Sequence, residues 1–354
     1  MADATMLTAP GPDGEDREVR LSSPDKVVWP ADEASAAITK ADLAAYLTAV
    51  AEPMLRGLAD RPVTLQRVRG GIEGEVFYSK NPPKGVPGWS RTTMVTYPSG
   101  RSHPQLVVDD LATLLWTAQM GTVTWHPWPV RTGDNDHPDE VRIDLDPQPG
   151  RAFADVVEAA RGLREVMQEV GLSPHVKTTG NRGVHVFAAI EPRLEFLEVR
   201  HAVIGLAREL ERRLPDLVTT AWWKEERGER IFVDFNQATR DRTLAAAWSP
   251  RIQPGAPVSV PVTWEQLGDV VPGELTVHTA PAWLSEHGDP WAGLHDQPGR
   301  IDGAYALWEA DRERGLGELN FPPDHPKMPG EPPRVQPSKK VAEHWDEDGN
   351  RIEG

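Results

Sequence analysis

The sequence predicts a mixed α+β fold, and three observations carry that prediction. First, residues 141–190 run strand, helix, strand, loop, strand: VRIDLDP alternates and stops at Pro147, FADVVEAARGLREVMQEVG is helical in period and stops at Gly171, and HVKTT and VHVFAAI flank GNRG. That order describes an α/β unit around a half-buried sheet. Second, another periodic helix, LEVRHAVIGLARELERRL, leads into a further strand, RIFVDFNQ. Third, 354 residues with 39% hydrophobic and 26% charged side chains suffice for one large domain or two packed modules, and no apolar run reaches bilayer length.

Residues 1–18 are polar and rich in Gly, Pro and Asp, so a flexible segment is expected there. Residues 19–315 form the expected folded unit. It opens with ITKADLAAYLTAVAEPML, read as one amphipathic helix with Thr39 as N-cap, Asp42 three residues on, and Leu43, Tyr46, Leu47, Val50 and Leu55 on one face. PVTLQRV and EVFYSK read as strands, DDLATLLWTAQMG as a helix closed by Gly121, and TVTWH as the strand that follows. After Gly255, Pro, Gly and Trp break the chain into pieces too short for the pattern to assign, and residues 316–354 are Pro-rich, then charged, the signature of a flexible tail. There is no internal repeat.

Composition excludes several chemistries. With no cysteine, disulfide frameworks, thiolate metal sites and cysteine nucleophiles are out, so any metal must sit on oxygen or imidazole. The N-terminus has no apolar segment behind a basic start, and the expected location is the cytoplasm. A net charge of −16 opposes indiscriminate coating of nucleic acid, although much of the acid lies near the termini while Arg and Lys recur in the middle.

Residues two apart on a strand share a face, so Asp144 and Asp146 in RIDLD aim two carboxylates at one point while Ile143 and Leu145 face the core. With no adjacent Lys or Arg expected on that face, a divalent cation is the simplest compensation; the bland alternative is a strand end entering a solvated turn. Asp234, between Val233 and Phe235, is costly unless paired or bound to metal. It either completes a two-metal site or forms a structural ion pair with Arg240 or Arg242. In KTTGNRGVHV, Gly180 and Gly183 permit positive φ that turns backbone N–H groups toward a phosphate, and Thr179, Arg182 and His185 add side-chain donors. The bare pattern also fits a hairpin with a core histidine. Arg227, Gln237 and Arg251 supply further donors.

Together, RIDLDP, KTTGNRGVHV and RIFVDFNQATRDRTLAAAWSPR resemble the three signature motifs of the polymerase domains of bacterial ligase D and their stand-alone relatives in the archaeo-eukaryotic primase superfamily. The likeness covers about residues 20–280. It implies a primase-like catalytic core, with an N-terminal α/β module packed on an antiparallel sheet resembling an RNA-recognition fold and the site in the groove between them. It also implies a template-directed nucleotidyltransferase that fills short gaps or extends ends in DNA repair, with two Mn2+ or Mg2+ ions, nucleoside triphosphates as substrates and a leaning toward ribonucleotides. In this resemblance Asp144, Asp146 and Asp234 are the metal carboxylates. Thr179, Arg182, His185, Arg227, Gln237 and Arg251 contact the incoming nucleotide, and His126 lies near its sugar. Lys26 and Lys40 hold a downstream 5'-phosphate, and Phe77 and Tyr78 stack on the template.

The chain departs from the family pattern at Thr179, where Ser is usual, and in DEASAA, which lengthens the stretch between Lys26 and Lys40. It also carries no recognisable ligase lysine motif or nuclease cluster, so it resembles the polymerase module alone. A monomer acting on gapped or end-containing DNA, in the nucleoid, with Ku and a separate ligase as partners, is the expectation. The competing classes are a metal-dependent phosphoesterase or nuclease and a non-catalytic protein that binds DNA ends.

Overall fold

A computed structural model describes residues 4–319 apart from 12, 34, 98–99 and 241. The chain opens with a hairpin, β1 (Ala4–Pro10) and β2 (Asp16–Ser22), paired antiparallel from Ala4 opposite Ser22 to Pro10 opposite Asp16. The expectation of a flexible N-terminus is therefore corrected. Ala9, Val19 and Leu21 are buried, and Ser22 N–H donates to Gln119 at 3.0 Å, so the hairpin is held by packing that its polar composition does not advertise.

Two short strands follow, β3 (Val27–Trp29) and β4 (Ile38–Thr39), then α1 (Lys40–Ala49) and α2 (Ala51–Leu58). Thr39 caps α1 in a full capping box with Asp42, as its spacing predicts. The single helix expected here is instead two. Pro53 has no N–H to give Ala49 and its ring would clash there, and Val50 breaks the run at φ −106°, ψ 14°. Leu43, Tyr46, Leu47, Val50, Met54 and Leu58 are buried across the break.

Next come β5 (Pro62–Arg69), β6 (Glu75–Ser79), β7 (Thr92–Thr96), β8 (Ser102–Val107), α3 (Leu111–Gln119) and β9 (Thr122–Pro127). β5 organises an antiparallel sheet, pairing with β6, β8 and β9, while β7 extends it beyond β8. α3 packs against β9 and the N-terminal hairpin, and α1 packs on α3.

The remaining elements are β10 (Glu140–Asp146), α4 (Phe153–Glu169), β11 (His175–Thr178), β12 (Val184–Ala189), α5 (Phe196–Arg213), β13 (Val218–Thr219), α6 (Lys224–Arg227), β14 (Ile231–Asp234), β15 (Pro261–Val262), α7 (Ala280–His287) and α8 (Asp302–Glu313). Their six strands run in the order β13-β14-β10-β12-β11-β15, antiparallel except for the β13/β14 pair. α4 and α5 back this sheet with Val156, Ala160, Leu163 and Met167 and with Val199, Val203, Leu206 and Leu210, all buried. RIFVDFNQ is a strand only to Asp234; Phe235–Ala238 turn into a short 3-10 helix.

The two sheets are tied together by residues 244–251. Ala246 N–H donates to Trp125 O (2.8 Å), Trp125 N–H to Ser249 Oγ (3.0 Å), Thr124 Oγ1 to Pro250 O (2.7 Å) and Tyr46 OH to Trp248 O (2.6 Å). Trp248 is fully buried and holds a φ of +63° to make this path, a backbone state that few large residues adopt. Of the expected tail, residues 316–319 are ordered against α5, and 320–354 lie outside the described residues.

Candidate active site

Strand register assembles the site. Lys177 on β11 lies opposite His185 on β12, His185 opposite Asp144 on β10, and Asp144 opposite Asp234 on β14. Directly opposed residues share a face, so four strands place one polar side chain each in a single row across the sheet. Asp146, two residues from Asp144, lies opposite Phe232, whose ring is covered by the Arg227 guanidinium at 3.6 Å. Arg227 is held in turn by the backbone carbonyls of Ala221 (3.1 Å) and Trp222 (3.0 Å).

The electrostatics of this row point to a cation. Burial, then Asp234, then Asp146 push the Asp144 carboxyl well above the usual carboxylate range, and its side chain keeps 23% of its surface exposed. Asp146 is also raised, by burial and by Asp234, against the pull of Arg227, Arg182 and Lys224. The expectation of no basic residue on that face is corrected by Arg142, two residues before Asp144 on β10, which pairs with Glu140. Positive charge also approaches the row from Arg251 and from Lys177, whose own pKa burial pushes well below the usual lysine value. That charge leaves the pair undercompensated. Carboxylate oxygens are the donor set that hard divalent cations take, so the residues fit Mg2+ or Mn2+. As they stand, no three His, Asp or Glu side chains among the described residues form a ready metal cage. Asp234 is turned onto its own loop, accepting from Asn236 N–H (3.0 Å) and Gln237 Nε2 (2.7 Å). The ion-pair alternative finds no support at Arg240, whose guanidinium goes to Asp136.

Lys177, which the sequence pattern does not mark, is the main addition. It is fully buried, donates to His185 Nδ1 at 2.7 Å and to Ser259 Oγ, and has no carboxylate within ion-pair distance among the described residues. A lysine in the apolar stretch HVKTT was the available signal. Burial, then Lys177 and Arg251, hold His185 well below the ordinary imidazole value, so it is neutral, and its Nε2 lies 3.6 Å from Asp144. His126 on the facing sheet is lowered to about 3 by burial and by Arg251, and is neutral as well.

The glycine loop works by two mechanisms rather than the one expected. Gly180 has the predicted positive φ, +70°, and a Cβ there would also meet Arg251 Cγ at 2.7 Å. Gly183 does not have positive φ. It is glycine because a Cβ would meet the Leu145 carbonyl oxygen at 2.5 Å. Gly183→Ala should therefore push the loop off β10, lowering stability by about 1–3 kcal/mol and activity in parallel, as read by thermal unfolding and primer extension. Unchanged behaviour in both would refute the close-approach argument. Thr179 Oγ1 accepts from Asn181 N–H at 3.1 Å, and Arg182 is exposed with no side-chain partner among the described residues.

A cavity of about 170 Å3 opens on Asp146, Asp234, Arg227, Gln237 and Lys224, bringing expected anion donors against the carboxylates. Across the groove, Tyr78 is 57% exposed, with its ring 5.6 Å from the His126 ring. Phe77, the next residue along β6, points to the opposite face, beneath Arg67 (5.1 Å) and Arg69 (5.7 Å). The two rings thus serve different faces of the sheet. Lys26 and Lys40 line a separate cavity of about 200 Å3 together with Arg69. Lys40 donates to Ser22 O (2.6 Å) and Gln119 (2.5 Å), and burial and then Lys26 lower its pKa, while the exposed Lys26 ammonium has no partner among the described residues.

Residues 39–291 match the family model described as LigD, primase-polymerase domain. The multifunctional non-homologous end joining protein LigD of Pseudomonas aeruginosa is 32% identical over 81% of this chain and 34% of its own length. That of Mycolicibacterium smegmatis is 30% identical over 78% of the chain and 36% of its own. The chain therefore spans about a third of the length of the curated relatives it matches. The solved polymerase domain from Mycobacterium tuberculosis ligase D in complex with DNA is similar with a TM-score of 0.73 at 27% identity, covering 79% of this chain and 99% of that one.

Proposed function

The chain belongs to the LigD primase-polymerase family, and from that premise we propose that it is a DNA-directed nucleotidyltransferase of DNA repair, extending a primer end across a short gap. The single observation that carries this reading is the cross-strand row in which Asp144 and Asp234 are directly opposed, with Asp146 beside them and His185 and Lys177 completing it.

Asp144, Asp146 and Asp234 would hold two Mg2+ or Mn2+ ions, whose chemistry is to activate the primer 3'-hydroxyl and to neutralise the triphosphate. The 3'-oxygen forms a bond to the α-phosphorus as the bond from that phosphorus to the bridging oxygen breaks and pyrophosphate leaves. Arg182, Arg227 and Arg251 offer planar donors to the phosphate oxygens, and Gly180 and Gly183 let the loop backbone approach closely. Neutral His185, held through Nδ1 by Lys177, is positioned to donate from Nε2. His126 and Tyr78, on the facing sheet, suit the sugar and a base of the nucleotide or template. A preference for ribonucleotides and Mn2+, and work alongside Ku and a separate ligase in end joining, belong to this reading.

Extension of a labelled primer on a gapped duplex with nucleoside triphosphates is the direct test. Stepwise lengthening supports the assignment, whereas release of mononucleotides without added triphosphate would make the protein a nuclease. The Lys26/Lys40 cavity adds a second expectation. Extension should be several-fold faster when the downstream strand carries a 5'-phosphate, and Lys26→Ala should remove that advantage while leaving the rate on an unphosphorylated gap unchanged. Equal phosphate dependence in the variant would assign the cavity another purpose.

A further inference from the structure

Behind the Asp234 loop lies a buried arginine outside the reaction groove. Arg200, in the first half of α5, is fully buried, and its guanidinium is divided between two segments. Nη2 donates to the Asn236 side-chain oxygen (3.2 Å) and to the Leu319 backbone oxygen (2.8 Å), Nη1 pairs with Glu318 (3.0 Å), and the group lies over the Phe235 ring at 5.3 Å. Phe235 and Asn236 are the two residues after Asp234, and Asn236 N–H donates to the Asp234 carboxylate. Arg200 thus grips the turn that aims this carboxylate.

Its other partners come from a strap. α8 crosses α5 so closely at Gly205 that a Cβ there would meet Trp308 N at 2.8 Å and Ala304 O at 2.9 Å. The chain leaves α8 through Gly315, at φ +85°, and returns along α5. Arg208 donates to Gly317 O at 2.6 Å, Glu318 pairs with both Arg200 and His201, and the His201 ring stacks on Trp308 at 4.4 Å. Both α8 and the strap lie beyond the stretch matched by the family model.

We infer that Arg200 is a positioning residue which, with the 316–319 strap, fixes the Phe235–Gln237 turn so that Asp234 is presented to a divalent cation. The inference rests on the reading of Asp234 as a metal ligand. An arginine serving α5 and the strap alone would need only Glu318 and Leu319; the contacts to Asn236 and Phe235 direct it to the loop. Because the held group is a metal ligand, loosening it weakens metal use rather than nucleotide binding.

The test is an Mn2+ titration of primer extension by the full chain. Arg200→Gln and Asn236→Ala should each raise the half-saturating Mn2+ concentration about fivefold, with KM for the nucleotide unchanged within about twofold. The double variant should do no more than the worse single one, because both break one linkage. Arg200→Lys guards against misfolding: it keeps the charge for Glu318 but loses the fork that reaches Asn236 and Leu319 together, so it should show the same metal shift at a near-native unfolding temperature. A folded Arg200→Lys and Asn236→Ala with wild-type Mn2+ dependence, or strictly additive effects, overturns the inference. Asp234→Asn separates the two levels, since activity retained in that variant would instead overturn the metal reading itself.

Discussion

Asp234→Ala is expected to lower primer extension by about 10²–10³-fold or more, because charge neutralisation at the reacting phosphates is commonly the largest catalytic contribution. The structure makes the expectation specific. Asp234 is directly opposed to Asp144, and with it gone Asp144 and Asp146 keep only each other. The same loss relieves repulsion, since Asp234 is a leading cause of the upward displacement of both remaining carboxyls after burial itself. The variant should therefore fold at least as well as the parent while being inactive. Asp136→Asn, at the exposed partner of the buried Arg240, provides the matched control and should extend at close to the parental rate. Identical product ladders from the parent and Asp234→Ala would remove the carboxylate row from the mechanism.

Arg61→Met should produce the largest loss of stability. Arg61 is fully buried and binds Asp139 (2.6 and 2.9 Å) and Glu140 (2.7 Å), and Glu140 is shared with Arg142 and with His295 at 2.7 Å. This cluster joins the start of β5 to the start of β10, so it ties the two sheets at the end of β10 remote from Asp146. Removing one member strands buried charge, at a cost of about 3–5 kcal/mol near neutral pH, measurable by urea unfolding. The pH dependence has a definite sign. Burial would raise the Glu140 carboxyl, but Arg142 and Arg61 outweigh it and hold the group well below its ordinary 4.5. A depressed carboxylate contributes its stability above the unfolded value and loses it as pH falls through the folded one. The gap between parent and Arg61→Met should thus be full at pH 7 and shrink in acid, below the ordinary carboxylate range. A gap under about 1 kcal/mol at pH 7, or one that does not shrink in acid, would show that Arg61 contributes packing and little charge compensation.

Much of the site is legible in the sequence because strand periodicity is local. Asp144 and Asp146 share a face by spacing alone, and Gly180 announces a left-handed turn. What the sequence does not carry is register. Nothing in HVKTT says that Lys177 will stand opposite His185, because that pairing depends on how two strands align across the GNRG turn. The reason for Gly183 lies outside its own motif, since the obstacle to a side chain is the Leu145 carbonyl, far away in sequence. Pro53 was in plain view, and its effect on the helix follows from geometry that an apolar pattern overlooks. The N-terminal hairpin was hidden because its burial comes from contacts supplied by α3, about a hundred positions on.

The order in which the row's strands occur in the chain has a kinetic meaning. β10, which carries Asp144 and Asp146, is synthesised before both of its neighbours, β12 and β14. The centre therefore waits on pairings between segments tens of residues apart, the kind of contact that closes slowly because loop entropy must be overcome first. Helices α4 and α5 can form early from local interactions, but catalytic competence is a property of the last strand to dock. When the unfolded chain is returned to native conditions, helical signal should recover ahead of activity, and a truncated nascent chain ending before Asp234 carries Lys177, His185, Asp144 and Asp146 but lacks the third carboxylate.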